Sequence, residues 1–127
     1  MTSLVVCAAI IERDGRFLIT RRQNGVHLEG LGPGGKCDQG ETLGACLARE
    51  LKEELDVDVR VGEEVFTTTH TYPDRSVELH FLKCELLGEP APQMGQQMSW
   101  AGREELERLA FPPADAELIR ILTDGRA

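Results

Sequence analysis

The sequence lacks the features that direct a chain into or across a membrane. No apolar run in its 127 residues approaches the roughly 18 that a membrane-spanning helix needs. Met1 to Ile11 has no basic n-region followed by a cleavage-like site, so we expect no secretory signal peptide. These absences predict a cytoplasmic protein without a membrane partner.

Cysteine is present, but without the paired spacing that binds zinc. The four cysteines include no CxxC pair, which argues against a zinc site and against a disulfide framework. Cys7, Cys46 and Cys84 stand among apolar residues and are expected to be small core residues. Cys37 stands in a Gly-rich segment, where we expect an accessible thiol.

Basic residues are also in short supply. Lys and Arg number 14 against 22 Asp and Glu, which gives a net charge of -8. Binding to a nucleic-acid polymer depends on Lys and Arg that displace counterions from phosphates, so we expect no such partner. A small phosphorylated ligand is compatible with this charge if a metal ion and a few basic residues supply local positive charge.

Length and patterning predict one domain that covers residues 1–127. A chain of this size, with 41% hydrophobic residues, fits a single core. Leu4 to Glu12 and Arg16 to Thr20 read as strands on either side of a hairpin signal at Asp14-Gly15. The segment from Asn24 to Lys36 holds five Gly and one Pro and predicts a loop.

The second half of the chain alternates in the same way. Thr42 is the expected N-cap of a helix that runs to Leu55, because leucines recur at every fourth position within it. Further predicted elements are strands around Val57–Val61 and Val77–Phe81, a turn at Tyr72-Pro73-Asp74, a loop from Gly88 to Met98, and short helices at Glu104–Leu109 and Asp115–Leu122. Strands interleaved with helices and hairpins predict an α/β sandwich with a mixed sheet.

Three carboxylates crowd one face of the predicted helix. At about 100° per residue, Glu50, Glu53 and Glu54 fall within an arc of roughly 100°, beside the leucine face. Their mutual repulsion would be relieved by a divalent cation, and oxygen ligands favour Mg²⁺ or Mn²⁺. The alternative is a solvated acidic face in which Arg49 and Lys52 act as ordinary ion-pair partners.

The spacing of the acidic residues favours the metal site. Gly35, Glu41, Arg49-Glu50-Leu51, Glu53-Glu54 and Val57 resemble the signature of the Nudix family. Asp56 stands where that family has Gly. The Gly normally ends the helix in the left-handed conformation, which Asp tolerates better than most residues, so we expect a small stability cost and intact chemistry.

The resemblance extends along most of the chain to the MutT-type branch, and it implies a Nudix-type α/β/α sandwich. The matching segments are Ala8–Ile11, Ile19–Arg22, Pro33–Lys36, Tyr72–Arg75, Gly88–Pro90, Trp100 and Phe111–Asp115. The activity implied is Mg²⁺-dependent hydrolysis of a nucleoside triphosphate to a monophosphate and pyrophosphate. Oxidised and cytidine-type nucleotides are the candidate substrates.

The resemblance also implies roles for individual residues. The Gly34 carbonyl and the carboxylates of Glu50, Glu53 and Glu54 would bind metal, and Glu50 is either a ligand or the base that deprotonates water. Glu41 and Arg49 would support the loop and helix through ion pairs. Substrate contacts are assigned to Arg22, His27 and Lys36, with Arg22 and Lys36 as phosphate partners and with an exposed loop residue as the alternative for His27. Arg75 and Asp115 are the candidates for the base pocket. Asp115 is alternatively a helix cap.

Two departures from the MutT type keep other functions open. Met94 stands where that type has a loop Glu, and Leu28 to Gly32 is shorter than usual, with Leu31-Gly32 in place of an acidic-aromatic pair. One alternative is an enzyme for another nucleoside diphosphate-linked substrate such as ADP-ribose. The other is a catalytically weak nucleotide-binding module.

Overall fold

The computed structural model describes residues 2–21, 33–71, 73–93, 95, 97–102 and 104–105. The described elements are, in chain order, β1 (Thr2–Ile10), β2 (Glu12–Arg13), β3 (Arg16–Arg21), β4 (Gly34–Lys36), α1 (Leu43–Leu55), β5 (Val59–Thr71), β6 (Arg75–Leu86) and β7 (Gln97–Gly102). In this part of the chain, no helix is long and apolar enough to cross a membrane.

The larger of two sheets is mixed, as the sequence predicts. Its strand order is β4-β1-β6-β5. β1 and β6 are parallel, with Cys7 opposite His80, whereas β4 is antiparallel to β1 and β5 is antiparallel to β6. The smaller sheet has the order β2-β3-β7, and both of its pairings are antiparallel.

The predicted hairpin at Asp14-Gly15 is present between β2 and β3. Both residues have positive φ, 54° at Asp14 and 78° at Gly15. Asp and Gly tolerate this conformation, and two such residues in succession match the twist of the flanking strands. The hairpin is therefore encoded locally.

Helix α1 begins and ends where its sequence predicts. The Thr42 side chain accepts a hydrogen bond from the Ala45 N–H at 3.1 Å, which satisfies a backbone donor of the first turn. Asp56 ends the helix in the left-handed conformation, with φ 50° and ψ 46°, and its N–H donates to the Lys52 carbonyl. Asp56 thus does the structural work of the expected glycine.

The core lies on both faces of the mixed sheet, because alternate residues of a strand point to opposite faces. One cluster places Cys7 and Ala9 of β1 against the buried face of α1, which consists of Cys46, Leu47, Leu51 and Leu55. The other cluster places Ile10 and Phe81 against Phe17 and Ala101 of the smaller sheet. The first cluster fixes the helix on the sheet, and the second joins the two sheets.

Three expectations need correction or fall outside the described residues. Gly34–Lys36, expected in a loop, forms β4 because it pairs with β1, and a glycine-rich segment gives no local sign of such pairing. Strand β5 continues to Thr71, and a strand not predicted, β7, contains Trp100. Apart from Glu104 and Glu105, which are helical, the two predicted C-terminal helices lie outside the described residues.

Candidate active site

The acidic residues of α1 lie on the face of the helix beside its buried leucines. Leu47, Leu51 and Leu55 are fully buried, so the sequence between them turns Glu50, Glu53 and Glu54 away from the core. The Glu50 side chain is only 14% exposed, whereas that of Glu53 is 59% exposed. The two carboxylates therefore differ in how far they are exposed to solvent.

Arg49 joins these carboxylates to the preceding loop. Its Nε and Nη2 atoms donate to the two oxygens of Glu41 at 2.7 and 3.0 Å. Its Nη1 donates to Glu50 at 2.9 Å and lies 3.5 Å from Glu53. Nη2 also donates to the Lys36 carbonyl at 3.1 Å. The planar guanidinium thus fastens β4, the loop and α1 together, as expected from a fork-shaped donor.

Glu41 is held ionised by these contacts. Its hydrogen bond from Arg49 contributes most, and the Asp38 N–H donates a second at 2.8 Å, so the pKa of Glu41 falls to about 2. The same pairing raises the pKa of Arg49 above its ordinary value. The ion pair is therefore fully charged across the physiological pH range.

Close packing explains why glycine is required at positions 34 and 35. A Cβ at Gly35 would collide with the Glu50 carboxylate, and a Cβ at Gly34 would collide with the β1 backbone at Cys7 and Ala8. Any other residue would push β4 away from β1 or from the helix. Gly35 thus brings the β4 backbone next to the acidic face, and Gly34 lets β4 lie close to β1.

The donor set at this face suits a hard divalent cation. Glu41, Glu50 and Glu53 all contact Arg49, and Glu54 follows Glu53 on the same helix. Lys52 lies elsewhere, 3.9 Å from Asp56 and 3.5 Å from Asp58. Several carboxylate oxygens thus surround one guanidinium, and oxygen ligands with excess negative charge match Mg²⁺ or Mn²⁺.

The other predicted site residues are placed in part. Lys36 is exposed at the end of β4, beside the acidic cluster. Arg75 is exposed at the start of β6. Val6 pairs with both Lys36 and Leu79, so Lys36 is level with Leu79, and Arg75 lies four residues before that position. At 3.3 Å per residue this is about 13 Å along the sheet. Arg22, His27, Asp115 and Met94 lie outside the described residues.

Cys7, Cys46 and Cys84 are buried in the core as expected, whereas Cys37 departs from its expected role and the sequence did not indicate a disulfide. Cys37 and Cys46 form a disulfide, so Cys37 is not the accessible thiol that its segment indicated. The buried Cys7 Sγ lies 2.9 Å from the Cys46 Sγ and 3.5 Å from the Cys37 Sγ. The spacing of these cysteines in the sequence does not indicate a cluster. They meet because β4 pairs with β1, with Gly35 opposite Cys7, which brings Cys37 close to Cys7.

A second charged cluster centres on His80, which the sequence did not indicate. Its Nδ1 lies 2.5 Å from Glu64 and its Nε2 lies 2.6 Å from Glu78, while its side chain is only 12% exposed. Burial opposes protonation of the imidazole, but the two carboxylates outweigh it and raise the pKa of His80. A hydrogen bond with the Thr67 side chain lowers the pKa of Glu64 most, and a hydrogen bond with His80 lowers it further.

Comparison with known proteins places this site in a family. The chain matches the NUDIX domain family over residues 6–120. It is 37% identical to the 8-oxo-dGTP diphosphatase of Haemophilus influenzae, a match that covers 92% of this chain and 89% of that protein. It is 33% identical to the CTP pyrophosphohydrolase of Escherichia coli, with 100% and 96% covered.

Solved structures agree with these matches. The E. coli ORF135 protein has a similar solution structure, with a TM-score of 0.86 at 32% identity, and the match covers 100% of this chain and 93% of that one. MutT proteins from Aliivibrio salmonicida and Vibrio cholerae share the fold, with a TM-score of 0.75 at 23% identity, 98% of this chain and 100% of that chain being covered. The chain belongs to the Nudix hydrolase family, within its MutT-type branch.

Proposed function

We propose that this protein hydrolyses a nucleoside triphosphate to a nucleoside monophosphate and pyrophosphate, with Mg²⁺ as its cofactor and Mn²⁺ as an alternative. The observation that carries the proposal is the acidic face of α1, fixed against Gly35 and cross-linked by Arg49. Nudix hydrolases generally need divalent metal ions, and this face offers the oxygen ligands that such ions prefer.

The metal ligands in this proposal are the carboxylates of Glu50, Glu53 and Glu54 and the carbonyl of Gly34. A bound Mg²⁺ supplies a more acidic water and offsets charge on the phosphate oxygens. Arg49 holds Glu50 in place, so that one carboxylate oxygen is engaged by the guanidinium while the other faces Gly35. A carboxylate of this face accepts the proton of the attacking water.

Substrate binding is assigned to basic residues near the acidic face. The Lys36 side chain is exposed at the end of β4, while its backbone carbonyl accepts a hydrogen bond from Arg49, and its point charge suits a phosphate group. Arg22 is proposed as a further phosphate contact, and His27 as a further substrate contact. These cations supply the positive charge that a protein of net charge -8 must concentrate locally to bind a triphosphate.

Arg75 and Asp115 are proposed to contact the nucleobase. A carboxylate accepts hydrogen bonds and suits an exocyclic amino group such as that of cytosine, while a protonated one also donates and admits oxidised purines. The names of the relatives, an 8-oxo-dGTP diphosphatase and a CTP pyrophosphohydrolase, support both candidate classes. The variant Asp115→Asn should change the ranking of bases, and an unchanged ranking would remove Asp115 from recognition.

The experiment that tests the function measures pyrophosphate release from ordinary and oxidised nucleoside triphosphates, with and without Mg²⁺. We expect release that depends on Mg²⁺ and falls at least about 100-fold in Glu53→Gln, because an essential carboxylate is lost. Glu63→Gln removes an equal charge from an exposed position on β5 and should leave turnover unchanged. Full activity in Glu53→Gln, or hydrolysis of ADP-ribose without pyrophosphate release from triphosphates, would reject the proposal.

We also propose that residues 1–127 act as one domain in the cytoplasm. The family match spans residues 6–120, which is compatible with one domain. Limited proteolysis checks this: a single domain should give one protected core, whereas two protected fragments of similar size would contradict it.

A further inference from the structure

Three sulfur atoms from separate elements meet next to Gly35. Cys7 lies in β1, Cys37 directly follows β4 and Cys46 lies in α1, and their Sγ atoms are all within 4.8 Å of one another. The disulfide joins Cys37 to Cys46. It does not explain why the Cys7 Sγ lies 2.9 and 3.5 Å from the other two sulfurs. The cluster has one more sulfur than a disulfide uses.

We propose that Cys7, Cys37 and Cys46 bind one soft metal ion of the Zn²⁺ class when the disulfide is reduced. Thiolates select soft ions, whereas the carboxylates of α1 select hard ones. The two sites would therefore hold different metals in the same protein. This inference concerns a site outside the machinery proposed for hydrolysis.

Metal binding requires that the Cys37–Cys46 disulfide is first reduced. A dithiol reductant gives two electrons and two protons to the Cys37–Cys46 disulfide, which becomes two thiols, and the reductant becomes a disulfide. The metal ion then displaces one proton from each of three thiols, and these protons pass to solvent. Oxidation by a disulfide of the same class reverses the process and releases the ion. The disulfide and the metal complex are mutually exclusive states.

Backbone geometry favours three-sulfur binding, and the ion must displace the Cys7 proton because burial raises the pKa of that thiol to about 11. Cys7 and Cys46 are fully buried, and Cys37 is partly buried at the edge of the cluster, which leaves an approach for an ion. The Gly35 carbonyl lies 3.9 Å from both the Cys7 Sγ and the Cys46 Sγ, so it accepts weak hydrogen bonds from these groups in their thiol form. The sulfurs thus converge from a strand, a loop and a helix that the core holds in place.

Gly35 separates this cluster from the acidic face. Its carbonyl faces the sulfurs, and the Glu50 carboxylate occupies the space that a Cβ atom on Gly35 would take. A metal ion on the three cysteines would tie the start of the loop to α1, as the disulfide does. It would do so without using any oxygen of Glu50, Glu53 or Glu54.

The test uses Cd²⁺ as a spectroscopic probe of thiolate ligation in the full chain. The protein is reduced with a phosphine and kept in excess Mg²⁺, so that hard ligands are occupied. We expect one Cd²⁺ per chain, an ultraviolet thiolate-to-metal absorption band, and competition by Zn²⁺. The oxidised protein should show no band, because two of its three sulfurs are engaged in the disulfide.

Variants identify the ligands. Cys7→Ser and Cys37→Ser should each weaken Cd²⁺ binding by more than about tenfold and reduce the band, by loss of one of the three ligands. The matched control is Cys84→Ser, which removes a buried free thiol outside the cluster and should leave the band unchanged.

Two results would overturn the proposal: a reduced wild-type protein without the band, or a Cys37→Ser variant with the full band. Cys37 is partly buried, so its variant keeps the test decisive if Cys7→Ser fails to fold, which circular dichroism monitors. Pyrophosphate release is measured separately. Failure of the cysteine site therefore stays distinct from failure of the proposed hydrolysis.

Discussion

Two clusters in this protein place a basic side chain between carboxylates, and they differ in which group carries the positive charge. Arg49 pairs with Glu41 and Glu50 beside α1. His80 pairs with Glu64 and Glu78 on β5 and β6, and its pairing with Cys7 puts it on the helix-facing side of the sheet. A guanidinium keeps its charge at every physiological pH, whereas an imidazole does not.

This difference indicates which cluster suits a catalytic site. A metal-binding face must keep its carboxylates in place at any pH where the enzyme works, and a permanent cation with a fork of donors achieves this. The His80 cluster instead stabilises the contact between two strands in a pH-dependent manner. Three substitutions test this comparison and a fourth tests the end of the helix that carries the acidic face. They are ordered from the largest expected effect to the smallest.

The largest effect is expected from Arg49→Lys. Lysine keeps the charge but cannot donate to Glu41, Glu50 and the Lys36 carbonyl at the same time. We expect kcat/KM for pyrophosphate release to fall about 10- to 100-fold, as for groups that orient metal ligands. Arg60→Lys, in an exposed pair with Glu85, is the matched control. Equal activity of both variants would show that the fork is dispensable.

Glu41→Gln should change stability in acid. Because the pKa of Glu41 is about 2 in the folded protein against an ordinary 4.5, its carboxylate stabilises the fold above pH 4.5. That contribution is lost as the pH falls from 4.5 towards 2. The wild type should therefore bind up to about one more proton on unfolding in this window than the variant does. Urea unfolding at several pH values measures this, and parallel curves for the two proteins would contradict it.

His80→Gln should change stability in the opposite pH direction. The pKa of His80 is raised above 6.5, so its ion pairs contribute fully below pH 6.5 and are lost as the pH rises through the folded pKa. We expect a cost of about 1 kcal/mol at pH 6 that shrinks at pH 9. A cost that does not vary with pH would mean that His80 is uncharged in this cluster.

The smallest effect is expected from Asp56→Gly. Asp56 adopts the left-handed conformation with φ 50°, which glycine adopts without steric cost. We expect a gain of about 0.5 kcal/mol in the free energy of unfolding and unchanged kcat/KM. Thermal unfolding checks the first and pyrophosphate release the second. A large loss of activity would mean that Asp56 contributes more than a helix end.

What the sequence predicts well here is local. The limits of α1 follow from Thr42, the leucine spacing and Asp56, all of which act within one or two helical turns. Glu53 lies four residues after Arg49 on that helix, so their contact follows from i,i+4 geometry. The signature spacing indicates Glu41 and Glu50 as well. The interleaving of strands and helices predicted the mixed sheet, which the described strands confirm, and the family resemblance added the Nudix-type arrangement.

What the sequence misses depends on strand register. His80 meets Glu64 across 16 residues, and Cys37 meets Cys7 across 30. No periodic pattern in the sequence predicts either contact, because each contact depends on how two strands pair. β4 is missed for the same reason, since two of its three residues are glycines whose pairing with β1 is set by the whole sheet.

The most direct test of the central claim is calorimetric titration of Mg²⁺ or Mn²⁺ in the presence of a non-hydrolysable triphosphate analogue. The acidic face of α1 should bind the ion in the wild type and in Glu63→Gln, and binding should be weakened at least about tenfold in Glu53→Gln. A wild-type protein that gives no binding heat, or a Glu53→Gln variant that binds as tightly as the wild type, would contradict the account.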